Sequence, residues 1–113
     1  MARTKTEIAT RVLKKLGRLP DGQVATASQK KTVTDEYDDL YQELLEDENV
    51  SWSEDDDIPN NVARFIIVIL LGRVAEDFGV PDRWSLLEDF MRKKIAAQLA
   101  SPYTYQPTQF NDY

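Results

Sequence analysis

Apolar residues return at helical spacing in four stretches of the chain. Over residues 4–16, Ile8, Val12, Leu13 and Leu16 share one face while Lys and Arg occupy the other, the pattern of an amphipathic helix. Thr4 with Glu7 three residues on predicts a capping box, and Gly17 behind Lys14 and Lys15 predicts a C-terminal cap with dipole-matched charge. Pro20, Asp21 and Gly22 predict a turn, and the polar run 23–29 a linker. A second helix follows on Val33, Tyr37, Leu40, Tyr41, Leu44 and Leu45, with Asp35, Asp38, Asp39, Glu43 and Glu46 on its opposite face. So many like charges leave its stability to packing.

Residues 49–57 read as a loop carrying Trp52 and the acids Glu54, Asp55, Asp56 and Asp57. Asp57 is placed as the N-cap, and Pro59 in the first turn, of a third helix over 59–78. That helix is apolar on most sides, which predicts a central position in a bundle. Gly79 reads as its cap and Pro81 as the first residue of a fourth helix bearing Trp84, Leu87, Phe90, Met91, Ile95 and Leu99. The expected fold is all-α, a compact bundle of about four helices over residues 1–100, followed by an extended tail over 101–113. The tail holds two prolines and four aromatics without periodicity, the composition of a docking peptide; a tail folded back on its own bundle, or a disordered end, is the alternative.

Charge changes this picture more than composition does. The formal net charge is −6, from 14 Lys and Arg against 20 Asp and Glu. Residues 1–31 carry eight bases and two acids, whereas residues 32–61 carry twelve acids and no base. Such a chain either neutralises itself between its own helices or pairs head to tail with another copy across a heterologous interface. In the apolar third helix, Arg64 and Arg73 are expected to reach the helix edge or to pair with carboxylates, the candidates being Glu76, Asp77 and the acidic loop.

The 113 residues bound the chain to one compact unit, and there is neither Cys nor His. That removes disulfides, thiolate nucleophiles, Cys/His zinc sites and imidazole catalysis. The longest apolar run is far short of the roughly 20 residues of a membrane-spanning helix, and the N-terminus lacks the apolar stretch of a secretory signal, so production inside a cell is expected. Four scattered glycines do not make a phosphate-cradling loop, and the acidic run lacks the glycine and terminal Glu of a calcium loop. No catalytic, cofactor or metal residues are assigned, and an enzyme is not expected. Sequence-specific DNA binding by the basic first helix meets the repulsion of the acidic block and an overlong connection for a helix-turn-helix.

The order of segments carries a resemblance. The opening IATRVLKKLGRLPDGQVATASQ, the acidic helix VTDEYDDLYQELLEDE, Trp52 with Ile58 and Pro59, the central helix ending GRVAEDFGVP, and a helical end with an extended tail together resemble the head-to-tail adaptor proteins of tailed bacteriophages, a family that includes head-completion proteins and tail accessory factors. The resemblance implies a virion protein, made in the host cytoplasm, that joins a ring, commonly of twelve copies, beneath the portal protein. Such a ring extends the DNA channel, passes double-stranded DNA without gripping it, and offers a platform to a downstream tail or nozzle protein. It also implies portal docking by the tail, with Tyr103, Tyr105, Pro107, Phe110 and Tyr113 as anchors. Within that frame Arg11, Lys14, Lys15 and Arg18 are candidates for intersubunit charge pairing. Asp35, Asp38, Asp39, Glu54, Asp55 and Asp56 are candidates for a carboxylate channel lining that repels phosphate. The competing expectation is a small cytosolic regulatory or DNA-binding helical protein that uses the basic first helix.

Overall fold

The computed structural model describes residues 2–19, 22–47, 50 and 52–100. It is an all-α bundle of four helices, α1 (Lys5–Lys15), α2 (Ala27–Asp47), α3 (Asn60–Val74) and α4 (Glu88–Ala100). One two-residue antiparallel ladder joins β1 (Ala2–Arg3) to β2 (Ile58–Pro59), pairing Ala2 with Pro59 and Arg3 with Ile58. Pro20 and Asp21 of the expected turn, and the whole expected tail, lie outside the described residues.

Helix α1 is closed at both ends as its sequence requires. Thr4 N donates to Glu7 Oε1 at 2.9 Å and Glu7 N to Thr4 Oγ1 at 3.1 Å. At the other end Gly17 takes φ +78°, Gly17 N donates to Lys14 O and Arg18 N to Leu13 O, the paired bonds of a Schellman turn. Helix α2 begins earlier than expected. Residues 27–29 are helical, because Thr26 and Gln29 form a second capping box, Thr26 N donating to Gln29 Oε1 and Gln29 N to Thr26 Oγ1. Of the apolar face assigned to α2, Val33, Tyr37, Leu40, Tyr41 and Leu44 are buried, whereas Leu45 is exposed.

Helix α3 is central, as its composition predicts: eight of its fifteen residues are buried and it packs against each of the other helices. Its boundaries differ at both ends. Asp57 is not its N-cap. Ile58 precedes a proline, which disfavours helical backbone, and is drawn into the ladder with Arg3; Pro59 then holds the N-cap position with no side-chain acceptor. The helix also stops at Val74 rather than continuing to Phe78. Residues Glu76–Phe78 tighten into a 3-10 turn, and Gly79 at φ +71° ends it, with Val80 N donating to Ala75 O.

Pro81 does not open α4. Asp82 caps a 3-10 turn at Ser85–Leu87 instead, accepting from Trp84 N at 2.9 Å, from Ser85 N at 3.0 Å and from the Ser85 hydroxyl; these bonds hold its carboxyl below the usual range. This turn lies directly on α3, where a Cβ placed on Gly72 would stand 2.8 Å from Ser85 N. Among its residues with described burial, helix α4 adds one that is fully buried, Ile95, with Met91 and Leu99 packed at the edge of the core, while Leu87 and Phe90 remain exposed.

A basic groove between α1 and α3

The acidic surface combines α2 with the loop that follows it. Its loop is pinned to α2 by one tryptophan: Trp52 Nε1 donates to the Tyr37 hydroxyl at 2.9 Å, and the Tyr41 hydroxyl donates to Trp52 O at 2.6 Å. The Tyr41 and Trp52 rings meet edge to face, with centroids 6.2 Å apart. Burial pushes the Tyr37 hydroxyl up to about 12, so it stays protonated at neutral pH. The pinning brings the loop acids against α2. Lys5 Nζ lies 2.7 Å from Asp38 and 3.8 Å from Asp55, and the Gln42 amide donates to Glu54 at 3.4 Å. Of the remaining expected lining acids, Asp35 pairs with Lys31 at 2.9 Å, and Asp39 and Asp56 are exposed.

Burial lowers the affinity of Lys5 for its proton, but the hydrogen-bonding and charged approach of Asp38, with Asp55 and Glu54 behind it, outweighs this and raises its pKa. Part of the N-terminal positive charge is therefore paired within the chain, Lys5 in a partly buried contact with Asp38 and Lys31 in an exposed pair with Asp35.

The rest is not. Arg3, Arg11, Lys15 and Arg64 form no ion pair among the described residues, and all four line one cleft of about 620 Å³. Its floor is Ile67, Val68 and Leu71 of α3, and Trp84 closes one side. Ile67 and Leu71 are nearly inaccessible, whereas Arg11, Lys15 and Arg64 are exposed. Arg64 reaches the helix edge without a carboxylate partner among the described residues, its guanidinium 4.7 Å from the Phe65 ring centroid. Lys14 joins Thr10, Arg11 and Lys15 around an adjoining cleft of about 320 Å³.

Of the residues assigned to intersubunit charge, Arg11, Lys14 and Lys15 thus fall together. Arg18 does not join them, because its guanidinium donates to Phe78 O at 2.9 Å and Gly79 O at 3.3 Å, locking the end of α1 to the turn after α3. Arg3 and Trp84 were not anticipated as site residues. They reach the groove through the β1–β2 ladder and the turn before α4, contacts that local periodicity does not announce. The tail anchors Tyr103, Tyr105, Pro107, Phe110 and Tyr113 lie outside the described residues.

Arg73 is paired within the chain, but to other partners than expected. It grips Glu43 of α2 through two hydrogen bonds of 2.9 Å and Glu88 of α4 at 2.9 and 3.3 Å, not Glu76, Asp77 or the acidic loop. Arg92 of α4 completes the network, reaching Glu43 at 2.6 Å and Asp47 at 2.9 Å. Hydrogen bonding from Arg73 holds the Glu43 carboxyl below its ordinary range, with burial opposing and Arg92 adding to the effect.

Among the described residues no helix is long and apolar enough to cross a membrane, and no three His, Cys, Asp or Glu side chains gather to hold a metal ion. No protein-family model, curated protein or solved structure matches the chain.

Proposed function

We propose that the chain is a non-enzymatic head-to-tail adaptor of a tailed-phage virion, one of a ring of copies beneath the portal. The observation that carries this reading is the division of uncompensated charge between two surfaces built from different elements. Exposed acids stand on α2 and the loop that Trp52 pins to it, while exposed bases line the groove of α1 and α3. Surfaces that are complementary to each other and not to themselves suit a heterologous interface, which closes into a ring when the rotation allows. Arg11, Lys14 and Lys15 then face the neighbour's acids. Asp39 and Asp56 stand free, and Asp35 stands exposed beside Lys31, to line a channel through which duplex DNA slides, since carboxylates repel phosphate. Residues 101–113 supply the portal anchors, and the assembled ring receives a downstream tail or nozzle protein.

The groove's cations also support a second reading, a small cytosolic DNA-associated or regulatory protein, although the acids of α2 weigh against phosphate binding. One experiment separates the two. The full chain and its Lys14→Glu/Lys15→Glu variant are added to portal rings purified from the particle that encodes the chain, and to a DNA duplex at rising salt. Ring-dependent oligomers that the variant fails to form support the adaptor. Salt-sensitive duplex binding that the variant loses, without ring binding, supports the second reading.

A further inference from the structure

The groove combines two properties that ordinarily call for an occupant. Val68 and the half-buried Trp84 offer it partly exposed apolar surface over the buried Ile67 and Leu71, and its four cations lack counter-ions among the described residues. The course of α4 indicates which chain is nearest. Asn61 Nδ2 donates to Gln98 Oε1 at 3.1 Å, so α4 ends beside the first turn of α3. Asn60 and Arg64, which flank that contact in sequence, line the groove. Whatever follows Ala100 therefore leaves from the rim of the cleft.

We propose that the groove between α1 and α3 is the seat of the chain's own segment 101–113. Reach is ample: Asn60 to Leu71 spans roughly 16 Å of helix, a length covered by about five extended residues. Tyr103 and Tyr105 fall within that span. Composition matches as well. The segment holds Tyr103, Tyr105, Phe110 and Tyr113, one acid in Asp112, and no Lys or Arg. Aromatic rings find guanidinium partners in Arg3, Arg11 and Arg64 and apolar contact with Trp84 and the α3 floor. Its two prolines, Pro102 and Pro107, favour an extended path and remove backbone donors that an apolar floor would leave unpaired. Tethering at the rim gives an effective concentration on the order of millimolar, so individually weak aromatic contacts suffice for occupancy. The same tyrosines cannot hold the groove and a partner at once, and engagement of the segment elsewhere bares Arg11 and Lys15. The proposal stands on the groove and the exit point of α4, independently of the adaptor reading.

The absence of cysteine makes the test direct. A nitroxide on Thr108→Cys in the full chain is read through the paramagnetic broadening of the Trp84 indole and of the Lys15 and Arg11 amides. The expected result is selective broadening at these groove signals, lost when Tyr103→Ser and Tyr105→Ser are added, while the chemical-shift pattern of the core stays intact. Broadening that merely decays with distance from Ala100 and ignores the tyrosine substitutions overturns the proposal. So does groove broadening seen only when spin-labelled chain is mixed with isotope-enriched, unlabelled chain, because the occupant is then a neighbour's segment.

Discussion

Trp52 shows how much a single side chain can fix. It sits in a loop of polar and acidic residues, yet it is buried, and both of its hydrogen-bonding partners come from tyrosines on the core face of α2. The aromatic periodicity of α2 was readable, because Tyr37 and Tyr41 lie one turn apart on an apolar stripe. Their hydroxyls were not assigned partners, since a loop closure and not a local spacing supplies them. Replacing Tyr37 by Phe keeps the ring and removes the acceptor, leaving the Trp52 indole N–H buried and unpaired. The expected loss is about 1–3 kcal/mol of unfolding free energy, measured by urea denaturation. Trp52 emission should also rise in sensitivity to quencher as the loop loosens. A neutral result would mean that water replaces the hydroxyl.

Capping chemistry explains which element boundaries could be anticipated. The Thr4/Glu7 box was legible because it introduces an apolar stripe; the Thr26/Gln29 box has the same spacing but precedes a polar first turn, and only the folded chain reveals it. The ends of α3 were misplaced for a related reason. Local signals such as Asp57 and Pro59 suggested a helix start, while pairing with β1 claimed the backbone first. Gly72 belongs to the same class of tertiary effect. In an exposed helix interior Ala is better than Gly by about 1 kcal/mol, yet here the new Cβ would stand 2.8 Å from Ser85 N and 3.1 Å from Ser85 Cα and Trp84 C. These neighbours are backbone and cannot rotate away. Gly72→Ala should therefore destabilise the chain despite its better helix propensity, and should displace Trp84 from the groove. Thermal unfolding reads the first effect and the Trp84 indole resonance the second.

Among the described residues α4 is the helix least secured by apolar burial, with Ile95 the one fully buried side chain described on it, and electrostatics takes up part of the task. Arg73 and Arg92 join Glu43 and Asp47 of α2 to Glu88 and the body of α4. The bundle, its central helix and an intrachain partner for Arg73 were all readable from the sequence. The identity of that partner was not, because Glu43, Arg73 and Glu88 come from three helices and meet only once the packing is set. The same holds for the groove, whose cations come from β1, α1 and α3.

The network makes acid stability predictable in sign. The folded pKa of Glu43 lies below its unfolded value, mainly through Arg73. Its contribution is therefore fully present above the unfolded value of about 4.3 and is lost as pH falls through the lower folded one. Glu36 works the other way. Burial, with Asp39, Asp77 and Glu43 nearby and Arg73 opposing, raises its pKa, so protonating Glu36 on mild acidification relieves strain before the loss at Glu43 begins. Denaturant titrations from pH 7 to pH 3 should show Glu36→Gln more stable than the parent at neutral pH, and Glu43→Gln less stable there but with a flatter decline below about pH 4. Because Glu43 is half-exposed and solvent screens it, the neutral-pH loss should stay near 1–2 kcal/mol, roughly between an exposed and a buried ion pair. An unaltered acid limb in Glu43→Gln would show that α4 is held by Ile95 and its apolar neighbours alone, and that the charges merely decorate a seam that packing has already closed.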